Sequence, residues 1–300
     1  MGKIAQLMAR LGRWIFETHD ARRMSRQQLD SSDLQVHADI PYIADGTPEH
    51  LLDIYRLKTA PASQPVIVNI HGGGLFASYK SVNTAFNYEW ARLGYAVVSL
   101  SYRRLPDTTL IHQIEDVMAA LRFIRANSER YDLNIDRCYL TGDSAGALLG
   151  LFALLINQSP DLQQAFSLVP SGITFRAAAC ISIMLDTRRR DLLWFLSRVV
   201  TTPDETEEPY LKYIIDPAAM ISLTKLPPMY MVTSAEDLIR RDTLRFDQLL
   251  TAAGVEHQLM DLPRGKQHKL EHVFSVQYPL WDESRQVLAA IDRFFRQHGG

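Results

Sequence analysis

The chain of 300 residues has few cysteines, no long apolar run and almost no excess charge. Its two cysteines, Cys138 and Cys180, each lie in an apolar stretch typical of a buried strand, which favours two reduced core thiols over a disulfide. No apolar run approaches the roughly 20 residues that a membrane helix needs. The formal net charge of −2 comes without a long basic run. We therefore expect no membrane partner and no nucleic-acid partner.

The N-terminal segment also lacks an export signal. Lys3, Arg10 and Arg13 interrupt its apolar residues, and no small-residue cleavage site follows, so we expect a cytoplasmic protein. Apolar residues at helical spacing predict a helix over the first sixteen residues, with one apolar stripe: Ile4, Leu7, Met8, Leu11, Trp14 and Ile15. Such a stripe either covers another part of the protein or lies on a membrane surface. Few cations stand opposite it, which favours the first alternative.

From residue 34 onward the pattern changes to that of strands. Residues 34–42 alternate apolar and polar side chains, and a turn at Asp45-Gly46 leads to a second run over 51–57, which together predict an antiparallel hairpin. Short, continuous apolar runs follow, with helical segments between them, as in strands buried on both faces: 66–70, 95–100, 138–140, 177–184 and 229–232. Residues 256–262 predict a last strand. We therefore predict an α/β fold, with a mostly parallel sheet of about eight strands flanked by helices.

One stretch departs from this alternation. Residues 187–221 contain no predicted strand, while 192–200 and 210–215 are typical of helices, so we interpret the stretch as a helical insertion. Its charges are segregated into a basic cluster (188–190) and an acidic cluster (204–208). The simplest interpretation of both clusters is a solvated surface.

The first chemical motif follows the strand at 138–140 and precedes an apolar helix. It consists of Gly142, Asp143, Ser144, Ala145 and Gly146. A sharp strand-to-helix turn that exposes Ser144 needs glycine two positions before and two after it, because a Cβ there would collide with neighbouring strands. The helix N-terminus directs free amides towards a developing anion. The motif predicts a nucleophilic serine; the alternative is an ordinary tight turn.

The second motif, His71, Gly72, Gly73 and Gly74, follows the strand at 66–70 and so lies at the same edge of the predicted sheet. Three consecutive glycines let backbone amides approach an oxyanion closely, and we predict Gly72, Gly73 and Ala145 as the donors. We expect His71 to hold this loop by side-chain hydrogen bonds rather than to act as a base. The two motifs together are a known signature of lipases and esterases.

A nucleophilic serine needs a base and an acid that orients the base, which follow in the chain order serine, acid, histidine. Asp237 follows the strand at 229–232, with Glu236 and Asp242 as rivals, although Asp242 better suits a helix start. His268 and His272 are both candidates for the base.

Residues 268–272 also match the H-x-x-E-H zinc pattern. That site would need a further ligand downstream, where the acidic residues are Asp282, Glu283 and Asp292. We predict no metal and no cofactor.

These motifs resemble the hormone-sensitive-lipase-like esterases of the α/β-hydrolase fold, and the resemblance extends over essentially the whole chain. Besides the two glycine motifs, residues 101–107 and 234–242 are similar to family segments, the second being the loop that carries the acid, which supports Asp237. The triplet His272-Val273-Phe274 is similar to the family's His-Gly-Phe and favours His272 over His268. Leu238 stands in place of the usual proline, 263–267 lengthens the approach to the histidine, and Arg104 replaces a usual leucine.

The resemblance implies a division of the chain into an N-terminal helical cap segment (1–32), a catalytic domain (33–186 and 222–300) and a helical cap insertion (187–221). It implies a serine carboxylesterase that hydrolyses small acyl esters, from acetyl to about hexanoyl, with Phe76, Trp194 and Phe195 near the acyl pocket. An amidase-type relative such as an arylformamidase and a non-catalytic small-molecule receptor on the same fold are the alternatives. We expect a monomer or a homodimer.

Overall fold

The computed structural model describes residues 3–27, 29–186 and 208–299. The chain begins with a long helix and a hairpin: α1 (Lys3–Ser25), β1 (Leu34–Pro41) and β2 (Leu51–Leu57). Strands and helices then alternate: β3 (Gln64–Ile70), α2 (Thr84–Arg92), β4 (Ala96–Leu100), α3 (Leu110–Ala126), β5 (Leu133–Asp143), α4 (Ala145–Gln158), α5 (Pro160–Phe166) and β6 (Phe175–Ile181). The rest comprises α6 (Leu211–Ile215), β7 (Met229–Ser234), α7 (Arg240–Ala252), β8 (His257–Leu262), α8 (Phe274–Gln277) and α9 (Asp282–Gln297).

The eight strands form one sheet in the order β1-β2-β4-β3-β5-β6-β7-β8. β2 pairs antiparallel with both β1 and β4, and the other neighbours are parallel, which confirms the predicted α/β fold with its mostly parallel sheet. Several bounds differ from the prediction, most of all those of β5 and β6. β5 begins at Leu133 because residues 133 and 134 already pair with β3, and β6 ends at Ile181 because Ser182 adopts a left-handed backbone (φ 52°).

Helices cover both faces of the sheet, which explains why the parallel strands are continuously apolar. On one face α3 and α4 pack against the strands, and every residue of α4 from Ala145 to Ile156 is buried. On the other face α2 and α9 enclose an aromatic cluster in which Trp90 and Tyr139 both stack on Phe295. Cys138 and Cys180 are free thiols, as predicted, and they are buried in the core on the face of the sheet that α3 and α4 cover.

α1 is longer than the predicted sixteen residues, and it docks with its polar face rather than its apolar stripe. Among its described side chains, Leu7 is 68% exposed and Trp14 is 64% exposed, while Arg13 and Glu17 face the protein. The expectation that the stripe covers another part of the protein is therefore wrong for these residues. The reason is that ion pairs and carbonyl contacts, rather than apolar burial, hold the helix in place.

Of the predicted insertion, the structure describes residues 208–221. These contain α6, close to the predicted helix at 210–215, and the start of a 3₁₀ helix, Pro217–Leu223. The predicted helix at 192–200, the basic cluster, most of the acidic cluster, and Trp194 and Phe195 lie outside the described residues. The division into cap segments and a catalytic domain stays a prediction.

Among the described residues, no single helix is long and apolar enough to cross a membrane. Only α4 and α5, taken together as a pair bent by 117°, meet the requirement of length and composition.

Candidate active site

Ser144 lies at the turn between β5 and α4, near the carboxyl ends of the parallel strands. Its backbone is strained (φ 51°, ψ −116°), and its amide donates a hydrogen bond to the Ile181 carbonyl at 2.9 Å. A Cβ on Gly146 would lie 2.0 Å from the Ile70 carbonyl oxygen, and one on Gly142 would lie 2.7 Å from the Gly146 backbone. Both positions therefore need glycine, and the turn presents the serine hydroxyl to the edge of the sheet.

His272 connects Ser144 to Asp237. Its Nε2 lies 2.9 Å from the Ser144 Oγ, and its Nδ1 lies 2.8 Å from the Asp237 Oδ1. The structure thus brings together three predicted residues that are separated by up to 128 positions in the chain. With the Nδ1 proton on the aspartate side, Nε2 is free to accept the hydroxyl proton.

Asp237 is held by several donors at once. The Thr233 hydroxyl and the Ile239 amide each donate to it at 2.9 Å. Burial acts to raise the pKa of Asp237, but the hydrogen bond from His272, the charge of that ring and the Ile239 amide outweigh burial, so the pKa lies below its ordinary value. The carboxylate form is therefore favoured, and it can stabilise a charged imidazole.

The rival residues from the sequence have other partners. The His268 ring stacks on Trp281 with centroids 4.1 Å apart, and its Nδ1 lies 3.0 Å from Glu283. Glu236 accepts from the Gly265 and Leu270 amides, at 3.1 and 2.8 Å. Asp242, in the first turn of α7, accepts from the Leu185 and Asp186 amides at 3.0 Å. These residues stabilise the loops around the site.

No group of three or more metal-binding side chains occurs in the part of the chain that the structure describes. The two histidines of the H-x-x-E-H pattern face different partners, since His272 contacts Ser144 and Asp237 whereas His268 contacts Glu283.

The glycine loop after β3 runs beside Ser144. A Cβ on Gly72 would lie 2.4 Å from the Asp143 Oδ2, and Gly73 adopts φ 113°, where a Cβ would lie 2.1 Å from the Ala77 carbonyl oxygen. Ala145 is the first residue of α4, so its amide has no carbonyl one turn earlier to bind. The loop and the helix start therefore present backbone amides close to the serine.

His71 and Tyr102 stabilise this glycine loop. The rings stack with centroids 4.4 Å apart, the Tyr102 hydroxyl donates to the His71 carbonyl at 2.8 Å, and the His71 Nδ1 lies 2.6 Å from the Gly72 carbonyl. Burial lowers the pKa of His71 to about 4, against a smaller opposing effect of the Gly72 carbonyl. At neutral pH the ring is uncharged, which suits a supporting residue rather than a base.

Asp143 carries a buried carboxyl group that the sequence motif does not explain. Burial raises its pKa to about 6, although Asn83, the charge of His272 and the Gly72 amide oppose the rise. The Asn83 side chain donates to it at 2.7 Å and also contacts Asn69 at 3.2 Å. Sequence reasoning missed Asn83 because a single asparagine in a loop has no distinguishing pattern.

A cavity of about 150 Å³ opens above Ser144 and His272. Phe76, Met184 and Leu238 form apolar parts of its wall. Phe16, Asp20 and Arg23 of α1 complete the wall, so the N-terminal helix contributes directly to the site. Phe16 meets Phe76 edge-on, with ring centroids 5.3 Å apart.

Solved structures that superimpose on this chain identify its fold. Esterase B from Lactobacillus Rhamnosis (HN001) superimposes with a TM-score of 0.92 at 22% identity, over 99% of this chain and 96% of that one. The chain has the α/β-hydrolase fold. An esterase from the bacterial hormone-sensitive lipase (HSL) family superimposes with a TM-score of 0.73 at 21% identity, over 94% of this chain and 89% of that one.

Sequence comparisons agree with the resemblance noted above. The BD-FAE family model matches residues 52–188 of this chain. Esterase LipQ of Mycobacterium tuberculosis is 28% identical over 208 residues, which are 67% of this chain and 48% of that protein. Isoprenylcysteine alpha-carbonyl methylesterase ICME of Arabidopsis thaliana is 29% identical over 129 residues, 43% of this chain and 30% of that protein. The chain thus spans about half or less of these relatives, and its resemblance to hormone-sensitive-lipase-like esterases is confirmed.

Proposed function

We propose that this α/β-hydrolase is a serine carboxylesterase that hydrolyses short-chain acyl esters through an acyl-enzyme on Ser144. The observation that carries the proposal is the hydrogen-bonded chain from Ser144 through His272 to Asp237, which ends at a cavity large enough for a small ester. The esterases and methylesterase among its relatives support the same reaction class.

In the proposed mechanism each residue has one step. His272 Nε2 takes the hydroxyl proton as Ser144 Oγ attacks the ester carbonyl, and the amides of Gly73 and Ala145 stabilise the oxyanion. The Gly72 amide, which the sequence predicts as a third donor, already bonds to the Asp143 carboxyl group. Asp237 stabilises the resulting imidazolium. His272 then gives its proton to the departing alcohol, and the acyl group stays on Ser144. A water molecule, deprotonated by the same ring, attacks the acyl-enzyme and releases the acid.

Replacement of the nucleophile tests this proposal directly. Ser144→Ala should lower kcat towards p-nitrophenyl acetate by on the order of 10⁶, with a small change in KM, because the attacking atom is lost. Ser284→Ala is the matched control, since Ser284 is also buried and its hydroxyl has no hydrogen-bond partner among the described residues. More than a tenth of the wild-type turnover in Ser144→Ala would refute the assignment.

We propose that the small cavity also limits the length of the acyl chain. Over a series of p-nitrophenyl esters, kcat/KM should be highest between acetyl and about hexanoyl, because longer chains exceed the enclosed apolar wall. A maximum at decanoyl or beyond would contradict this limit.

The two alternatives have their own measurements. An arylformamidase would use the same residues but favour N-formyl aromatic amines in parallel assays. A receptor would lack an activated serine, and it would therefore not react with a fluorophosphonate probe, whereas an esterase would be labelled at Ser144.

A further inference from the structure

The wall of the cavity carries a charged pair on α1. The Arg23 side chain is only 5% exposed and that of Asp20 17% exposed, and both border the same cavity as Ser144. Such burial is costly for charged groups unless hydrogen bonds compensate it. The contacts of this pair therefore indicate what the cavity is built to hold.

The hydrogen bonds of Arg23 are incomplete. Its Nη1 donates to the Gln277 carbonyl at 3.1 Å and its Nη2 to the Val82 carbonyl at 3.3 Å, but the contact with Asp20 is long, at 3.5 Å. The buried Nε has no hydrogen-bond partner among the described residues. A guanidinium has five N–H donors, so this one has capacity left for an acceptor.

Asp20 is likewise only partly satisfied. Its Oδ2 accepts from the Ser78 hydroxyl at 2.9 Å, while its Oδ1 has, among the described residues, only the long contact with Arg23. Its charge also acts on the site: burial is the main cause of the raised pKa of Asp143, and the Asp20 carboxylate adds to the rise. Asp20 is thus close enough to influence the residue next to the nucleophile.

The chemistry of the pair selects one type of group. Asp20 repels an anion and Arg23 repels a cation, and an alkyl group would leave both unsatisfied. A hydroxyl donates one hydrogen bond and accepts others, so it can donate to the carboxylate and accept from the guanidinium. We propose that Asp20 and Arg23 form a specificity subsite for a substrate hydroxyl, so that the preferred esters are hydroxylated ones.

This proposal rests on the proposed esterase function and narrows its substrate class. The hydroxyl belongs either to the alcohol part or to the acyl part of the ester, and two pairs of esters that differ only in hydroxyl groups separate these sources. Glycerol 1-monobutyrate is compared with propyl butyrate, and ethyl 3-hydroxybutyrate with ethyl butyrate. For one of the pairs, the wild-type kcat/KM should favour the hydroxylated ester by about tenfold.

Two variants test whether Asp20 and Arg23 cause the preference for hydroxylated esters. Asp20→Ala and Arg23→Met should each lower the preference at least about threefold, because each removes one hydrogen-bond partner of the hydroxyl. The readout is a ratio of two esters on the same enzyme, so a loss of folded protein cancels. Arg22→Gln, an exposed residue of the same helix, is the matched control and should leave the ratio unchanged.

The outcomes distinguish the two proposals. A wild-type preference below twofold in both pairs, or a preference that survives in both variants, would overturn the subsite while leaving the esterase function intact. Failure to hydrolyse any of the four esters, together with no fluorophosphonate labelling, would instead overturn the esterase function and the subsite with it.

Discussion

At the scale of single residues, the site depends on which side chains already have hydrogen-bond partners before a substrate binds. Asp237 accepts from Thr233, Ile239 and His272, so the imidazole is oriented without any help from the ligand. A catalytic group that is already oriented loses little entropy when the transition state forms. His268, the less favoured candidate from the sequence, contacts Trp281 and Glu283 instead.

The two histidines form a matched pair for mutagenesis. His272→Gln should lower kcat towards p-nitrophenyl acetate by on the order of 10⁴ or more, because no base remains to activate Ser144. His268→Gln should keep kcat within about threefold of wild type, since that ring supports a loop through stacking. Equal losses in the two variants would speak against the assignment of His272.

At the scale of elements, α1 is attached to the body by polar contacts. Arg13 donates to the carbonyls of Phe76 and Leu105, and Glu17 pairs with the buried Arg104. Arg104 also pairs with Glu49 at 2.8 Å and lies over the Tyr79 ring at 3.7 Å from its centroid. The arginine that replaces the leucine usual in similar esterases is thus one of the attachment points of the helix that completes the cavity.

Removal of Arg104 should loosen α1. Arg104→Leu leaves Glu17 and Glu49 without their shared cation, and because both carboxylates are partly exposed the expected cost is roughly 1–3 kcal/mol of unfolding free energy. Trypsin should then cut within residues 3–27 faster than in wild type. Arg104→Lys keeps the charge, so its cleavage rate should lie between those of wild type and Arg104→Leu. Arg130→Leu, at an exposed position, should be cleaved at the wild-type rate. Unchanged cleavage in Arg104→Leu would show that other contacts suffice.

At the scale of the whole molecule, two buried groups oppose each other in their effect on stability. Burial raises the pKa of Asp143 from 3.8 to about 6, so the folded state binds a proton that the unfolded state has released, and stability falls as pH rises through that interval. Burial lowers the pKa of His71 from 6.5 to about 4, so stability rises with pH between those values. The two contributions partly cancel in the wild type.

Asp143→Asn should remove one of the opposing contributions. In urea unfolding between pH 4 and 7.5, the stability of the variant relative to wild type should increase with pH by up to about 3 kcal/mol, which corresponds to the shift of about two pKa units. The increase should be complete slightly above pH 6. A difference that is independent of pH would contradict the raised pKa of Asp143.

Much of the architecture and part of the site follow from local patterns. Alternation and continuous apolar runs predict strands with half-buried or fully buried faces, because side-chain direction repeats every two residues in a strand. Gly142 and Gly146 are predictable because the turn that exposes Ser144 leaves no room for a Cβ. Chain order reduces the acid and the base to a few candidates.

The sequence by itself thus determined the α/β fold, the nucleophile turn and a short set of candidates for its partners. The sequence also favoured His272 over His268, and the tertiary structure places the His272 ring against Ser144. The tertiary structure alone decided which polar residues surround Asp143 and which face of α1 docks. The physical reason is that helical periodicity predicts an apolar and a polar face of a helix, but it does not predict which face packs against the rest of the protein. Likewise, the meeting of Arg23 with the loop at Gln277 depends on packing across 254 positions, which no local pattern encodes.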